Sequence, residues 1–123
     1  MEKNIVFKIG DRYLKWHLFP FDYYNAMTFA QEESKKDYIE YMKDCLLSSS
    51  INTATQIWHH EELGIENREV SLMRYIPQPY DRVKREAHLP YTVEFSFPSK
   101  MKIKDLKEHF EKVFEEKVEI ELI

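Results

Sequence analysis

The sequence predicts an α+β fold, a single domain over residues 1–123 with helices packed on one face of an antiparallel or mixed sheet. A length of 123 residues matches the commonest size of a domain with one hydrophobic core. Stretches that alternate apolar and polar residues, as strands do, are interleaved with stretches of helical three- and four-residue spacing. Eighteen Phe, Tyr and Trp residues supply large side chains for the core. The predicted order is β-β-α-(α)-β-β-α-β.

The first predicted element is a β-hairpin over residues 4–18. Two β-rich stretches, NIVFKI and RYLKWHL, flank Gly10 and Asp11. A two-residue connection of this kind needs a positive φ at its first position, which glycine adopts without steric strain. We therefore expect a type II′ turn at Gly10.

A helical pattern follows over residues 23–47, with Asp22 as a candidate N-cap. Four side chains repeat at the spacing of a buried helical stripe: Tyr38, Met42, Cys45 and Leu46. The polar residues 32–37 allow a division into two helices, the second capped by Ser34 with Asp37 three positions later. The three serines at 48–50 indicate the end of the helix.

Residues 51–63 fit a helix or a strand. Ile51, Ala54 and Trp58 have helical spacing, and Gly64 suits the position after a helix C-terminus, so a second helix is favoured. The threonines and isoleucines also permit a strand.

The second half of the chain predicts two strands, a helix and a final strand. Alternation indicates strands at 68–76, 91–97 and 118–123, and apolar spacing indicates a helix that begins near 103 and ends near 114. Four rings from these elements are expected in the core: Phe95, Phe97, Phe110 and Phe114.

The composition argues against several classes of enzyme. With two glycines in the chain, no glycine-rich phosphate loop and no serine nucleophile elbow is present. Cys45 is the one cysteine, so it forms no internal disulfide, and its place on the apolar stripe predicts a buried small side chain. The N-terminus carries charges throughout, and no apolar run has the length of a membrane span. These features predict a cytoplasmic protein without a cofactor or a membrane partner.

Charge is unevenly distributed along the chain. The formal net charge is -4, yet acids outnumber bases by nine to three in residues 21–66, and bases outnumber acids by eight to four in residues 67–104. Such alternation predicts one acidic and one basic region on the surface.

The basic region centres on residues 77–90, which the strand predictions leave as a connection. Connections are most often about four to six residues long, and longer ones frequently bind a partner. Tyr80, Arg82, Lys84 and Arg85 are the candidate partner-binding residues there. A flexible connection with solubilising charges, or a short helical turn at 82–86, are the alternatives.

The acidic region contains a second candidate surface in the first helical stretch. Asp37, Glu40 and Tyr41 combine carboxylates with an aromatic ring that lies off the apolar stripe. Tyrosine beside charged groups is typical of protein-binding surfaces, although ordinary helix packing explains the pattern as well.

A metal site is a further alternative. His59 and Glu62 would share one face if residues 51–63 were helical, which suggests a small metal-dependent hydrolase. However, His59 and His60 would diverge by about 100° on a helix, and no H-E-x-x-H motif is present.

Together these patterns favour a non-enzymatic protein-binding module. The composition is similar to that of accessory proteins of phages and mobile elements that inhibit or chaperone a partner. Residues 7–24 resemble small phage tail-assembly chaperones in placing a hairpin before a helix. Nucleic-acid binding through the basic 77–90 segment is the alternative function, and the metal-dependent hydrolase is the second alternative.

Overall fold

Strands and helices alternate along the parts of the chain that this computed structural model describes, namely residues 2–15, 30, 34–60, 64–71, 77–86 and 100–123. The strands in these ranges are β1 (Glu2–Ile9), β2 (Arg12–Leu14), β3 (Leu47–Ser48), β4 (Ile57–His60), β5 (Glu69–Ser71), β6 (Lys100–Lys102) and β7 (Val118–Leu122). The helices in the same ranges are α1 (Lys35–Leu46), α2 (Tyr80–Glu86) and α3 (Ile103–Phe114). The α+β class is confirmed.

The main sheet is built around β1. Strand β7 pairs antiparallel along one edge of β1, with Ile9 opposite Val118. Strands β2 and β4 pair antiparallel with the two ends of the other edge, and β3 continues from β2. Strands β5 and β6 form a separate two-stranded antiparallel sheet in which Val70 lies opposite Met101. The pairings that the structure describes are therefore all antiparallel.

The first hairpin is confirmed. Ile9 pairs with Arg12, so Gly10 and Asp11 form a two-residue turn, and Gly10 has a φ of 64°. A Cβ atom at this position would lie 2.7 Å from Oε1 of Glu116. Glycine is thus required for the turn conformation and for the close approach of that carboxylate. The predicted residues 16–18 lie outside the described ranges.

The predicted start of the second helix, with Ser34 as its cap, is also confirmed. Helix α1 begins at Lys35, and the Ser34 hydroxyl caps it by accepting a hydrogen bond of 3.2 Å from the backbone N–H of Asp37. The helix ends at Leu46, before the serine run. Asp22 lies outside the described ranges, as do residues 23–33 except Ala30. Ala30 is helical and buried.

Residues 57–60 form a strand, where a helix over residues 51–63 was favoured. A single 3-10 turn at Ile51–Thr53 leads into β4, and residues 61–63 lie outside the described ranges. The backbone of β4 pairs with Glu2 to Ile5 of β1. The helical expectation was wrong because the edge of β1 offers hydrogen-bond partners that the local sequence does not reveal.

The 77–90 segment also differs from its prediction. Residues 80–86 form α2, so the prediction of a long connection without secondary structure was wrong. The alternative of a short helical turn at 82–86 was closer to the observed structure. Strand β5 confirms the start of the predicted strand at 68–76, whereas residues 72–76, 87–90 and the predicted strand at 91–97 lie outside the described ranges. Strand β6 was not predicted. Helix α3 and strand β7 are confirmed.

One hydrophobic core joins the helices to one face of the main sheet. Ile5, Phe7 and Ile9 of β1 are buried in it together with the apolar side of α3. The rings of Phe7 and Phe110 meet edge to face at 5.7 Å, and Phe110 stacks with Phe114 at 6.2 Å. The core prediction is confirmed for Phe110 and Phe114, while Phe95 and Phe97 lie outside the described ranges. Full burial of each such ring stabilises the fold by about 1.5–3 kcal/mol.

Candidate functional site

Helix α2 is anchored in the fold by two buried side chains. The Tyr80 ring lies 5.4 Å from the Tyr38 ring of α1, and Val83 is fully buried in the core. The backbone N–H groups of Arg82 and Val83 both donate to the Pro79 carbonyl at 3.1 Å. A helix of seven residues is too short to be stable alone, so these two contacts maintain α2.

The segment that leads into α2 is fixed by two side-chain hydrogen bonds. Tyr38 of α1 donates its hydroxyl to the Gln78 carbonyl at 2.7 Å. Nε2 of His109 on α3 lies 2.6 Å from the Pro77 carbonyl oxygen and donates to it, because a carbonyl oxygen only accepts. Two helices therefore determine where α2 begins.

The predicted basic residues lie on this docked helix. Arg82 and Lys84 are exposed, and the ammonium of Lys84 lies 5.4 Å from the centre of the Tyr80 ring. Arg85 belongs to α2, but its side chain is outside what the structure describes. The expectation that Tyr80 presents its ring to a partner is not met, since Tyr80 is only 7% exposed. Its ring anchors α2 to the core.

The predicted acidic residues lie on the neighbouring helix α1. Asp37 and Glu40 are exposed, and a carboxylate oxygen of Asp37 accepts a hydrogen bond of 2.8 Å from the Ser34 hydroxyl. Tyr41 is half-buried against the core, so only part of its ring faces solvent. The fold thus brings the two sets of predicted charges onto adjacent helices.

A half-open cleft of about 300 Å³ lies where α1 and α2 meet the end of α3. Ile39, Pro79 and Tyr80 give it apolar walls. Its charged groups come from all three helices and include both signs: Lys35, Asp81, Lys112 and Glu115. None of these four was predicted as a site residue, because they come from parts of the chain that are distant in sequence.

Lys35 and Glu115 form an ion pair at the edge of the cleft, with 2.5 Å between Nζ and Oε1. The hydrogen bond to Glu115 raises the pKa of Lys35, and the negative charge of Asp81 raises it further. The ammonium is therefore fully charged at neutral pH. Both side chains are partly exposed, so water screens this pair.

His109 lies beneath the same region. Burial lowers the pKa of its imidazole; the hydrogen bond to Pro77 opposes that shift, and the charges of Lys112 and Arg82 add to it. The ring is neutral at pH 7 and keeps its Nε2 proton for the carbonyl. The sequence offered no sign of this role, since His109 sits within an ordinary amphipathic helix.

The groups around the cleft are suited to recognition of a charged partner. Its walls carry ammonium and carboxylate groups beside apolar surface, which is the mixture that orients a bound side chain.

Cys45 lies on α1, half-buried against the core, as a small apolar side chain would.

The helical geometry proposed for a metal site is absent from the described residues. His59 and His60 belong to strand β4, and Glu62 lies outside the described ranges. Within those ranges, no group of three or more His, Cys, Asp or Glu side chains is arranged to hold a metal ion. The metal-site hypothesis assumed a helix at His59, and His59 lies in a strand instead.

Comparison of the chain with protein-family models, with curated proteins and with solved structures finds no match. The similarity to phage tail-assembly chaperones thus gains no support from them. Among the described helices, none has the length and apolar character needed to cross a bilayer. Functional inference therefore depends on the geometry of α1, α2 and α3.

Proposed function

We propose that this protein is a non-catalytic protein-binding module whose partner contacts the exposed sides of α1 and α2. The observation that carries the proposal is the docking of α2 on α1 through the contact of Tyr80 with Tyr38, with Val83 buried in the core. It holds the exposed cations Arg82 and Lys84 beside a helix that exposes Asp37. A surface that is already ordered loses little conformational entropy when it binds.

The mixture of charges favours a protein partner over a nucleic acid. Asp81 lies on α2 next to Arg82, and Asp37 and Glu40 are exposed on α1. Carboxylates among the cations repel a continuous polyphosphate backbone, and the net charge of -4 acts in the same direction. Charges of both signs instead select a complementary protein surface and reject others.

The composition supports a specific form of this function, an accessory protein of a phage or mobile element that inhibits or chaperones its partner. In either role the module binds stoichiometrically and carries out no chemistry itself. Nucleic-acid binding by the basic residues of α2 is the competing hypothesis.

The proposal is tested by affinity capture with charge-reversed variants. We expect R82E/K84E and D37K/E40K each to reduce the amount of captured partner by about tenfold, since several charge pairs worth up to about 1 kcal/mol each become repulsive. The variants K100E/K102E and E66K/E69K are matched controls, because they make the same charge changes at exposed residues of the small sheet and its preceding turn. Retention of a stoichiometric partner by both α1 and α2 variants would overturn the proposal.

A mobility-shift experiment separates the competing hypothesis. Binding of single- or double-stranded DNA or RNA at about 50 mM salt, lost in R82E/K84E and steeply weakened by added salt, would favour a nucleic-acid partner. We expect no shift with the wild-type protein.

A further inference from the structure

The charged groups in the cleft between α1, α2 and α3 differ in their pairing. Lys35 and Glu115 form the ion pair at its edge. Asp81 of α2 and Lys112 of α3 line the same cleft, and among the residues that the structure describes neither side chain forms an ion pair or a hydrogen bond. The cleft therefore offers one negative and one positive group that no contact neutralises.

The apolar walls of the cleft are ordered before anything binds. Ile39 and Tyr80 are each only 7% exposed, and the Tyr80 ring packs against Tyr38 at 5.4 Å. The carbonyl of Pro79 accepts two backbone N–H groups at the start of α2. A wall fixed in this way loses little conformational entropy on binding, and the methylene groups of a long charged side chain can pack on it.

The size and shape of the cleft favour the side chains of a protein over a small molecule. Its volume of about 300 Å³ lies at the lower limit for ligand pockets, and one side is open to solvent. A small molecule bound there would keep much of its surface in water, whereas specific pockets bury most of their ligand. The side chains of a protein partner are covered from outside by the partner itself, so a half-open cleft is sufficient for them.

We propose that this cleft receives a segment of the protein partner that carries a basic and an acidic side chain close together. The basic side chain pairs with Asp81 and the acidic side chain with Lys112. Their methylene groups pack on the walls formed by Ile39, Pro79 and Tyr80. This inference rests on the proposed function and specifies the chemistry of the segment that the module binds.

The charges of the cleft select against segments of a single sign. A run of basic residues meets Lys35 as well as Lys112, and a run of acidic residues meets Asp81 as well as Glu115. Like charges brought together in an interface oppose binding, so either run is repelled by two of the groups that it meets. A segment with both signs pairs with Asp81 and Lys112 together, and the repulsion of other segments adds to its specificity.

The test is an amide NMR titration of the intact protein with three capped octapeptides: alternating lysine and glutamate, all lysine, and all glutamate. We expect the alternating peptide to shift the amide resonances of Ile39, Asp81 and Glu115, which line the cleft. It should bind at least about threefold more tightly than either peptide of one charge, because it forms both ion pairs and meets less repulsion.

Two variants remove the unpaired charges one at a time. We expect D81N and K112Q each to weaken binding of the alternating peptide by about two- to fivefold, as the loss of one exposed ion pair would. E108Q and K104Q are the matched controls, because they make the corresponding changes at exposed residues of α3 that do not line the cleft. Both controls should bind the peptide as the wild type does. The amide spectrum of each variant also shows whether its fold is retained.

Several results would overturn the inference. They are no response to the alternating peptide at about 5 mM, tighter binding of a peptide of one charge, and equal affinities of D81N and K112Q with their controls. Free leucine is a zwitterion with an apolar side chain. If it saturated the same amides at a lower concentration than the peptide does, the cleft would be assigned to a small molecule instead.

The inference and the proposed function fail separately. A captured partner that is lost in R82E/K84E and D37K/E40K but retained in D81N and K112Q would keep the binding module and reject the cleft as its contact. Capture of no stoichiometric partner by the wild type would remove the proposed function, whereas the peptide titration does not depend on that capture.

Discussion

At the scale of single residues, His109 links the stability of the fold to pH. The pKa of its imidazole lies below the ordinary value of 6.5 because the ring is buried, and Lys112 and Arg82 lower it further. The unfolded chain therefore binds a proton at a higher pH than the folded protein does. The free energy of unfolding should be fully maintained above pH 6.5 and should fall as the pH drops from there towards the folded pKa.

This pH dependence is tested by replacing the imidazole. We expect the H109Q variant, whose amide N–H₂ still donates to the Pro77 carbonyl, to lose less stability than the wild type between about pH 7 and pH 5. Urea denaturation across this range measures the difference between the two proteins. Parallel curves for both would show that His109 does not contribute.

Gly10 offers a second test at the residue scale. A G10A variant would hold alanine at a φ of 64° and place its Cβ against the Glu116 carboxylate. We expect a loss of about 1–2 kcal/mol in the free energy of unfolding. Because E116A removes the close contact but not the backbone strain, G10A in the E116A background should still be destabilising. Thermal or urea denaturation of the four proteins separates the two effects.

At the scale of elements, α2 depends on the carbonyl contacts that precede it. Tyr38→Phe keeps the ring packing on Tyr80 and removes the hydroxyl that donates to the Gln78 carbonyl. We expect a loss of about 1–2 kcal/mol in the free energy of unfolding, because a buried acceptor loses its donor. Amide hydrogen exchange at Arg82 and Val83 should accelerate more than exchange in α3. Equal acceleration in both helices would contradict a local role for this contact.

The elements also show which parts of the fold can be predicted from the local sequence. Helix α3 was predictable because Leu106, Phe110 and Val113 place apolar side chains on one face through about two turns. Helix α2 was predicted only as an alternative, a short turn at 82–86, because its seven residues contain only Tyr80 and Val83 as anchors, and both depend on distant helices. Strand β4 was the less favoured of two alternatives for a similar reason, since its conformation depends on pairing with β1.

At the scale of the whole molecule, part of the candidate site followed from charge patterning. Arg82, Lys84, Asp37 and Glu40 were predicted as surface charges, and the structure places all four on exposed parts of two adjacent helices. Lys112 and His109 were not predicted, since only the packing of α3 beneath residues 77–79 brings them there. Composition along the chain reveals charge density but not which charges meet.

The dispersed charges predict a moderate response to salt. We expect the affinity of the protein for its captured partner to fall by less than about tenfold between about 50 and 200 mM salt, because each local pair is weak and screened. A phosphate-binding protein with six or more phosphate contacts would lose about 10³-fold or more over this range. Measuring the dissociation constant at several salt concentrations distinguishes these behaviours, and a slope of the second kind would reject a protein partner.

The pairing of β1 with β7 has a consequence for how the protein acquires its structure. Ile9 lies opposite Val118, and Asn4 exchanges backbone hydrogen bonds with Ile123, so the central strand is completed by residues far along the chain. Closing so long a loop is entropically costly and delays folding. During synthesis, the edge of β1 that pairs with β7 stays without its strand partner until β7 leaves the ribosome. The nascent chain is thus exposed to aggregation or chaperone capture while the residues between β1 and β7 are translated.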